Sequence, residues 1–62
     1  MAVLITLTEA AARLRKSPGM LRQMILRGTA PKSALIGGRR MFRESDIEAF
    51  IEAAFDSERV AS

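Results

Sequence analysis

Histidine, cysteine, tryptophan and tyrosine are all missing from this 62-residue chain. Without cysteine there is no disulfide, no thiolate nucleophile and no cysteine zinc site. Without histidine the commonest acid–base group and metal ligand go as well. Apolar runs are short. None approaches the roughly 20 residues that span a bilayer. The opening residues, 1–5, carry no base and are too few for a secretory signal, so a cytoplasmic setting in a bacterial cell is expected. The length leaves room for one small domain, whose modest core must hold together without staples. A composition of 48% hydrophobic and 27% charged residues is that of a folded globule rather than a disordered tail.

One further absence is local. Between positions 10 and 43 there is neither Asp nor Glu, while nine bases fall there: Arg13, Arg15, Lys16, Arg22, Arg27, Lys32, Arg39, Arg40 and Arg43. From Glu44 onward six acids face a single base, Arg59. Scattered charges are usually solvated surface. A block of one sign this long instead builds a field that attracts phosphate. Eight of the ten bases are Arg, whose planar fork suits phosphate and guanine better than lysine does.

What is present reads as helices and a hairpin. Thr6-Leu7-Thr8-Glu9 is a capping box, and the alanine-rich segment after it favours helix, with Leu7, Ala10, Ala11 and Leu14 on one face. Ser17-Pro18 is a second helix start: serine as N-cap, proline in the first turn. The spacing predicts a helix over 18–27, closed by Gly28, with Met20, Leu21, Met24 and Ile25 as its buried stripe. Gly19, Arg22, Gln23 and Leu26 fall on the opposite side. The short link between the two helices forces a steep crossing, as in a helix-turn-helix unit. Gly37-Gly38 between two β-prone runs predicts a two-stranded hairpin near 34–43. Ser45-Asp46-Ile47-Glu48 reads as another capping box, opening a third helix whose inner face holds Ile47, Phe50, Ile51 and Ala54. The expected domain is 1–56, with a flexible tail over 57–62.

The fold class expected is therefore mainly α with a small two-stranded β-hairpin, a winged helix-turn-helix of three helices plus a wing. In such a fold the second helix enters the major groove. Arg22 pairs naturally with guanine and Gln23 with adenine. Ser17, Pro18 and Gly19 bring the helix N-terminus, with its free N–H groups, close to a phosphate. Gly38, Arg39 and Arg40 form a slim cationic wing tip for the minor groove or the backbone. Arg15, Lys16, Arg27, Lys32 and Arg43 are further candidates for backbone contact. Alternatives fare worse. The glycine pair lacks the GxxxxGK[ST] pattern of a phosphate loop, and the methionines and phenylalanines pack as core. Acids such as Asp46, Glu48 and Glu52 at a helix start stabilise its dipole rather than make a catalytic pair. No nucleophile–base constellation is visible, so no enzyme, cofactor, metal or small-molecule ligand is expected.

The ordered set Thr6, Glu9-Ala10-Ala11, Leu14, Ser17, Leu21, Gly28, Pro31, Gly37-Gly38-Arg39 and Ser45-Asp46-Ile47-Glu48-Ala49-Phe50-Ile51 resembles the MerR-like winged helix-turn-helix family. In particular it resembles the small phage excisionases and AlpA-type regulators. The resemblance covers about residues 5–52. It implies that the second helix reads the major groove through Ser17, Gly19, Arg22 and Gln23, and that Arg39 and Arg40 act from the wing. It also implies a non-catalytic protein that bends double-stranded DNA beside attachment sites and directs an integrase toward excision. Two positions depart from the family pattern: Arg15-Lys16 stand where a glycine and an apolar residue are usual, and Phe50 replaces a usual Trp. The chain stops soon after the domain, so no sensor role is expected. The alternatives are a transcriptional regulator of the same fold and, in another class, a protein-interaction module using the acidic third helix. That helix has a second use, meeting the basic region of a neighbouring copy head-to-tail on DNA through Glu48, Glu52 and Asp56, with Phe55 and Leu26 adding apolar contacts.

Overall fold

The computed structural model describes residues 3–61, and side-chain environments as far as residue 58. The order is β1 (Leu4–Thr6), α1 (Leu7–Arg13), α2 (Pro18–Arg27), β2 (Ser33–Ile36), β3 (Arg39–Arg43) and α3 (Glu44–Ala61). The two helix starts expected from capping are both present. The Thr6 hydroxyl accepts from the Glu9 amide at 3.1 Å, and the Glu9 carboxylate accepts from the Thr6 amide at 2.8 Å. Ser17 Oγ accepts from the Met20 amide at 3.1 Å, with Pro18 in the first turn of α2.

The two helices also end alike. At the end of α2 the Gly28 amide bonds the Ile25 carbonyl and the Thr29 amide bonds the Met24 carbonyl, with Gly28 in the left-handed region at φ 76°. At the end of α1 the Arg15 amide bonds Ala12 and the Lys16 amide bonds Ala11. Both are Schellman closures, which normally place glycine in the left-handed position. In α1 that position is Arg15, at φ 59°. Only four residues, 14–17, lie between the helices, and α1 and α2 pack on each other.

The sheet differs from the expected two-stranded hairpin. It has three antiparallel strands in the order β1-β3-β2. The added strand is β1, which pairs Leu4 with Arg43, Ile5 with Phe42 and Thr6 with Met41. Three residues carry too little local pattern to announce a strand. What fixes them is a long-range contact, because Ile5 and its partner Phe42 are both buried on the helix-facing side. The hairpin itself is as expected. Ile36 and Arg39 close it, and Gly37 and Gly38 take φ values of 60° and 83°, the double positive φ of a type I′ turn.

The core is Ile5, Ala10, Ala11, Leu21, Phe42 and Ile47, with Leu7, Leu14, Met24, Ile25, Ala30 and Ile51 packed around it. Ala10 and Ala11 have no side-chain bulk to hold α2 away, which lets Leu21 sink fully into the centre. Two expected core positions lie elsewhere. Met20 is 47% exposed, since it belongs to the first turn of α2, beyond the reach of α1. Ala54 is also exposed, because α3 has by then run past the sheet. That helix starts one residue before the expected Ser45 cap. Glu44 follows directly on β3, and its amide bonds the Val3 carbonyl at 2.9 Å. Its side chain pairs with Arg13 at 2.5 Å, tying α3 to α1. The helix continues to Ala61, through most of the segment expected to be a tail.

Candidate nucleic-acid interface

Strand alternation sorts the wing side chains. Arg40 lies opposite Leu35, in the row that holds Phe42 and Ser33 and faces the helices. Arg39, Met41 and Arg43 belong to the other row, as do Ile36, Ala34 and Leu4. A cleft of about 240 Å³ lies between the hairpin and the helices, lined by Thr6, Leu7, Thr8, Arg22, Arg39, Arg40 and Met41. A second depression of about 290 Å³ adjoins it, bordered by Leu7, Arg22, Ile25, Leu26 and Arg40. Arg22 and Arg40 border both. Arg22 of α2 and Arg40 of β3 thus share one face, with Arg39, from the opposite strand row, at the edge of the first cleft, and among the described residues no acidic side chain lines either hollow.

Each guanidinium is held differently. Arg22 stands on the outer side of α2, exposed, together with Gly19 and Gln23. Arg40 is half-buried, and its Nη1 donates to Ser33 Oγ across the hairpin at 3.1 Å. That bond orients the side chain while leaving its other N–H donors available. Arg39 is exposed beside the Gly37-Gly38 tip. Ser17 uses its hydroxyl oxygen as the α2 cap. A Cβ at Gly19 would meet only Ser17 Oγ, at 4.0 Å, so the backbone there is open to an approaching group. Gly38 has open space around it and needs its glycine for φ, not for room.

The other bases are placed apart from this face. Lys32 and Arg43 line a hollow on the outer side of the sheet, with Leu4, Ala34, Ile36 and Met41. Arg43 Nε is engaged by Asp46 at 2.6 Å. Arg13, the base paired with Glu44, was no interface candidate in the sequence. Arg15 and Lys16 are exposed in the turn between α1 and α2, and Arg27 is exposed at the end of α2. There its charge also complements the helix dipole.

Sequence reasoning missed the part played by the start of α1. Thr6, Leu7 and Thr8 form the floor between α2 and the wing. Their local pattern signals a helix cap and nothing more, and only the pairing of β1 with β3 brings them beside the wing. The sequence also offers no hint of the Ser33–Arg40 bond, which depends on strand register. Glu9, the other half of the cap, titrates below the ordinary carboxylate range. The backbone hydrogen bond from Thr6 is the main cause and the threonine hydroxyl the next, with Arg13 adding a smaller charge effect.

Among the described residues no helix is long and apolar enough to cross a membrane. Comparison with curated proteins and with solved structures gives no match. A family model described as a helix-turn-helix domain matches residues 4–54, from the first strand well into α3. That span contains every element of the cleft. The capped, closely linked helix pair, the glycine-tipped wing and the family match agree: this chain belongs to the helix-turn-helix domain family, a DNA-binding family that includes excisionase-like and AlpA-like small proteins.

Proposed function

We propose that this protein is a sequence-preferring, architectural DNA-binding protein of the excisionase type, which bends duplex DNA at attachment sites and directs an integrase toward excision. The observation that carries the reading is that Arg22 of α2 and Arg40 of the wing border the same two hollows, lined by no acid among the described residues, with Arg39 at the edge of one of them. In this reading α2 lies in the major groove. Arg22 and Gln23 meet base edges, and Ser17, Pro18 and Gly19 bring the backbone to a phosphate. The wing, through Gly38, Arg39 and Arg40, follows the minor groove or the backbone of the adjacent turn. Arg15, Lys16 and Arg27 are exposed where they can flank the duplex. Lys32 and Arg43 sit on the far side of the sheet, where they reach only strongly bent DNA. Bending has an elastic cost of order 1–6 kcal/mol over a site of this kind, offset by such added phosphate contacts.

Copies placed side by side on DNA fit this picture. α3 exposes Glu48, Glu52, Asp56 and Glu58, with Phe55 70% exposed among them. The outer sheet face offers Leu4, Ile36 and Met41 beside Lys32. A transcriptional regulator would use the same interface. Binding to a labelled duplex at increasing salt tests the core of the reading. The logarithm of affinity is expected to fall with the logarithm of salt concentration, by about 0.9 per phosphate neutralised. A flat, weak response would point to the acidic helix as a protein-binding surface instead. Footprinting then separates the two DNA readings: protection over an attachment site supports excision, whereas protection over a promoter with altered transcript levels supports regulation.

A further inference from the structure

We infer that Leu26 is a base-reading residue that recognises the 5-methyl group of thymine in the major groove. The inference rests on the duplex-binding reading above and adds a chemical class of base to it. Leu26 is 81% exposed, the most exposed of the large hydrophobic side chains among the described residues. It does not pack on its own domain, whose contacts from α2 come from Leu21, Met24 and Ile25. It stands one helical turn after Arg22, on the same outer side as Gly19 and Gln23. It also borders the depression that Arg22 and Arg40 share, with Leu7 and Ile25 as the apolar floor.

An apolar side chain that shares a depression with two arginines does not gain by facing water, and those charges suit an anionic polymer rather than an apolar partner alone. The major groove of DNA presents that combination. Phosphates run along both edges, and the only apolar group displayed between them is the thymine methyl. With Arg22 hydrogen-bonded to a base edge or phosphate, a residue one turn along the helix lies over a neighbouring base pair. Leucine makes no hydrogen bond there, so what it adds is contact with a methyl group and the exclusion of water from it.

Deoxyuridine removes that methyl and leaves the Watson–Crick and major-groove hydrogen-bonding atoms of thymine in place, which makes it the probe. The full chain is used to select a preferred site from a randomised duplex pool, and each thymine of that site is then replaced singly by deoxyuridine. The wild-type protein is expected to lose about fourfold in affinity at one or two thymines, the effect of leaving one methyl unburied. Leu26→Ala is expected to bind the thymine and deoxyuridine duplexes equally. Its fold is safe because the side chain is exposed and alanine favours helix. Circular dichroism and retained salt-dependent binding confirm that. Equal binding of all duplexes by the wild type, or persistence of the discrimination in Leu26→Ala, overturns the inference while leaving duplex binding intact. Loss of cooperativity in Leu26→Ala without any thymine-to-deoxyuridine effect also overturns it, and assigns Leu26 to contact between copies. Failure to retain any duplex at low salt removes both this inference and the reading beneath it.

Discussion

Arg22 of α2 and Arg40 of β3 border the same two adjoining hollows, although one grows from a helix and the other from the wing. Among the described residues neither is paired with an acid, in contrast to Arg13 and Arg43, which are bound by Glu44 and Asp46. Two bases thus fasten α3 to the rest of the domain, whereas Arg22 and Arg40, with Arg39 at the wing tip, form an outward set beside the hollows.

Removing members of the outward set is expected to have distinguishable effects. Arg22→Ala, on the base-reading side, should lose about 1–3 kcal/mol on the preferred duplex and blur the preference among sites. Arg39→Ala, at the wing tip, should weaken all duplexes by a similar factor and make the salt dependence shallower by about one phosphate. Competition titrations over several duplexes and salt concentrations measure both. Identical, negligible changes would mean that these side chains do not meet DNA.

Arg15 occupies the left-handed position of a Schellman closure that α2 fills with Gly28. A side chain there crowds its own backbone. Arg15→Gly should therefore stabilise the fold, by roughly 0.5–1 kcal/mol once the greater freedom of unfolded glycine is subtracted. In a domain this small that raises the melting temperature by several degrees. A parallel loss of DNA affinity would show that the arginine is kept for phosphate rather than for the turn. A melting temperature that falls would refute the strain argument.

Gly19 sits in the first turn of α2 with room for a Cβ. Gly19→Ala is expected to stabilise the helix by up to about 1 kcal/mol and to weaken duplex binding several-fold, because a methyl would then stand between the helix N-terminus and a phosphate. Thermal melts and binding titrations on one preparation read both. Unchanged binding in the stabilised variant would place the backbone farther from DNA than proposed.

Acid should loosen α1 first. The hydrogen bonds from Thr6 hold the Glu9 carboxyl below its ordinary titration range. The folded state therefore binds this proton less readily than the unfolded chain does. The contribution of Glu9 to stability is complete above the unfolded carboxylate value, and it is lost as pH falls through the lowered folded one. Urea midpoints measured from neutral pH down into the acid range should fall less steeply for Glu9→Gln than for wild type. Thr6→Ala removes the reciprocal cap and should cost about 1 kcal/mol at neutral pH. Superimposable pH profiles for wild type and Glu9→Gln would contradict this account.

Much of the architecture was legible in local chemistry. Thr6 and Glu9, Ser17 and Pro18, Gly28, and Gly37-Gly38 each act within four residues of themselves, so helix starts, a helix stop and the wing turn could be read from adjacent letters. Residues whose state depends on distant partners could not. Leu4–Thr6 became a strand only because β3 lies beside it. Ser45 lost its capping place because β3 runs straight into α3 at Glu44.

The candidate site divides along the same line. The sequence alone determined that an acid-free, arginine-rich stretch carries two capped helices and a glycine-tipped hairpin, because charge, capping and turn preferences are properties of neighbouring residues. Only the tertiary structure decided which bases share a face. Arg22 and Arg40 meet across a floor made by Thr6, Leu7 and Thr8, with Arg39 at its edge, while Lys32 and Arg43 line the outer side of the sheet. Strand register and helix crossing make that choice, and both are fixed by burying Ile5, Leu21 and Phe42 in one core.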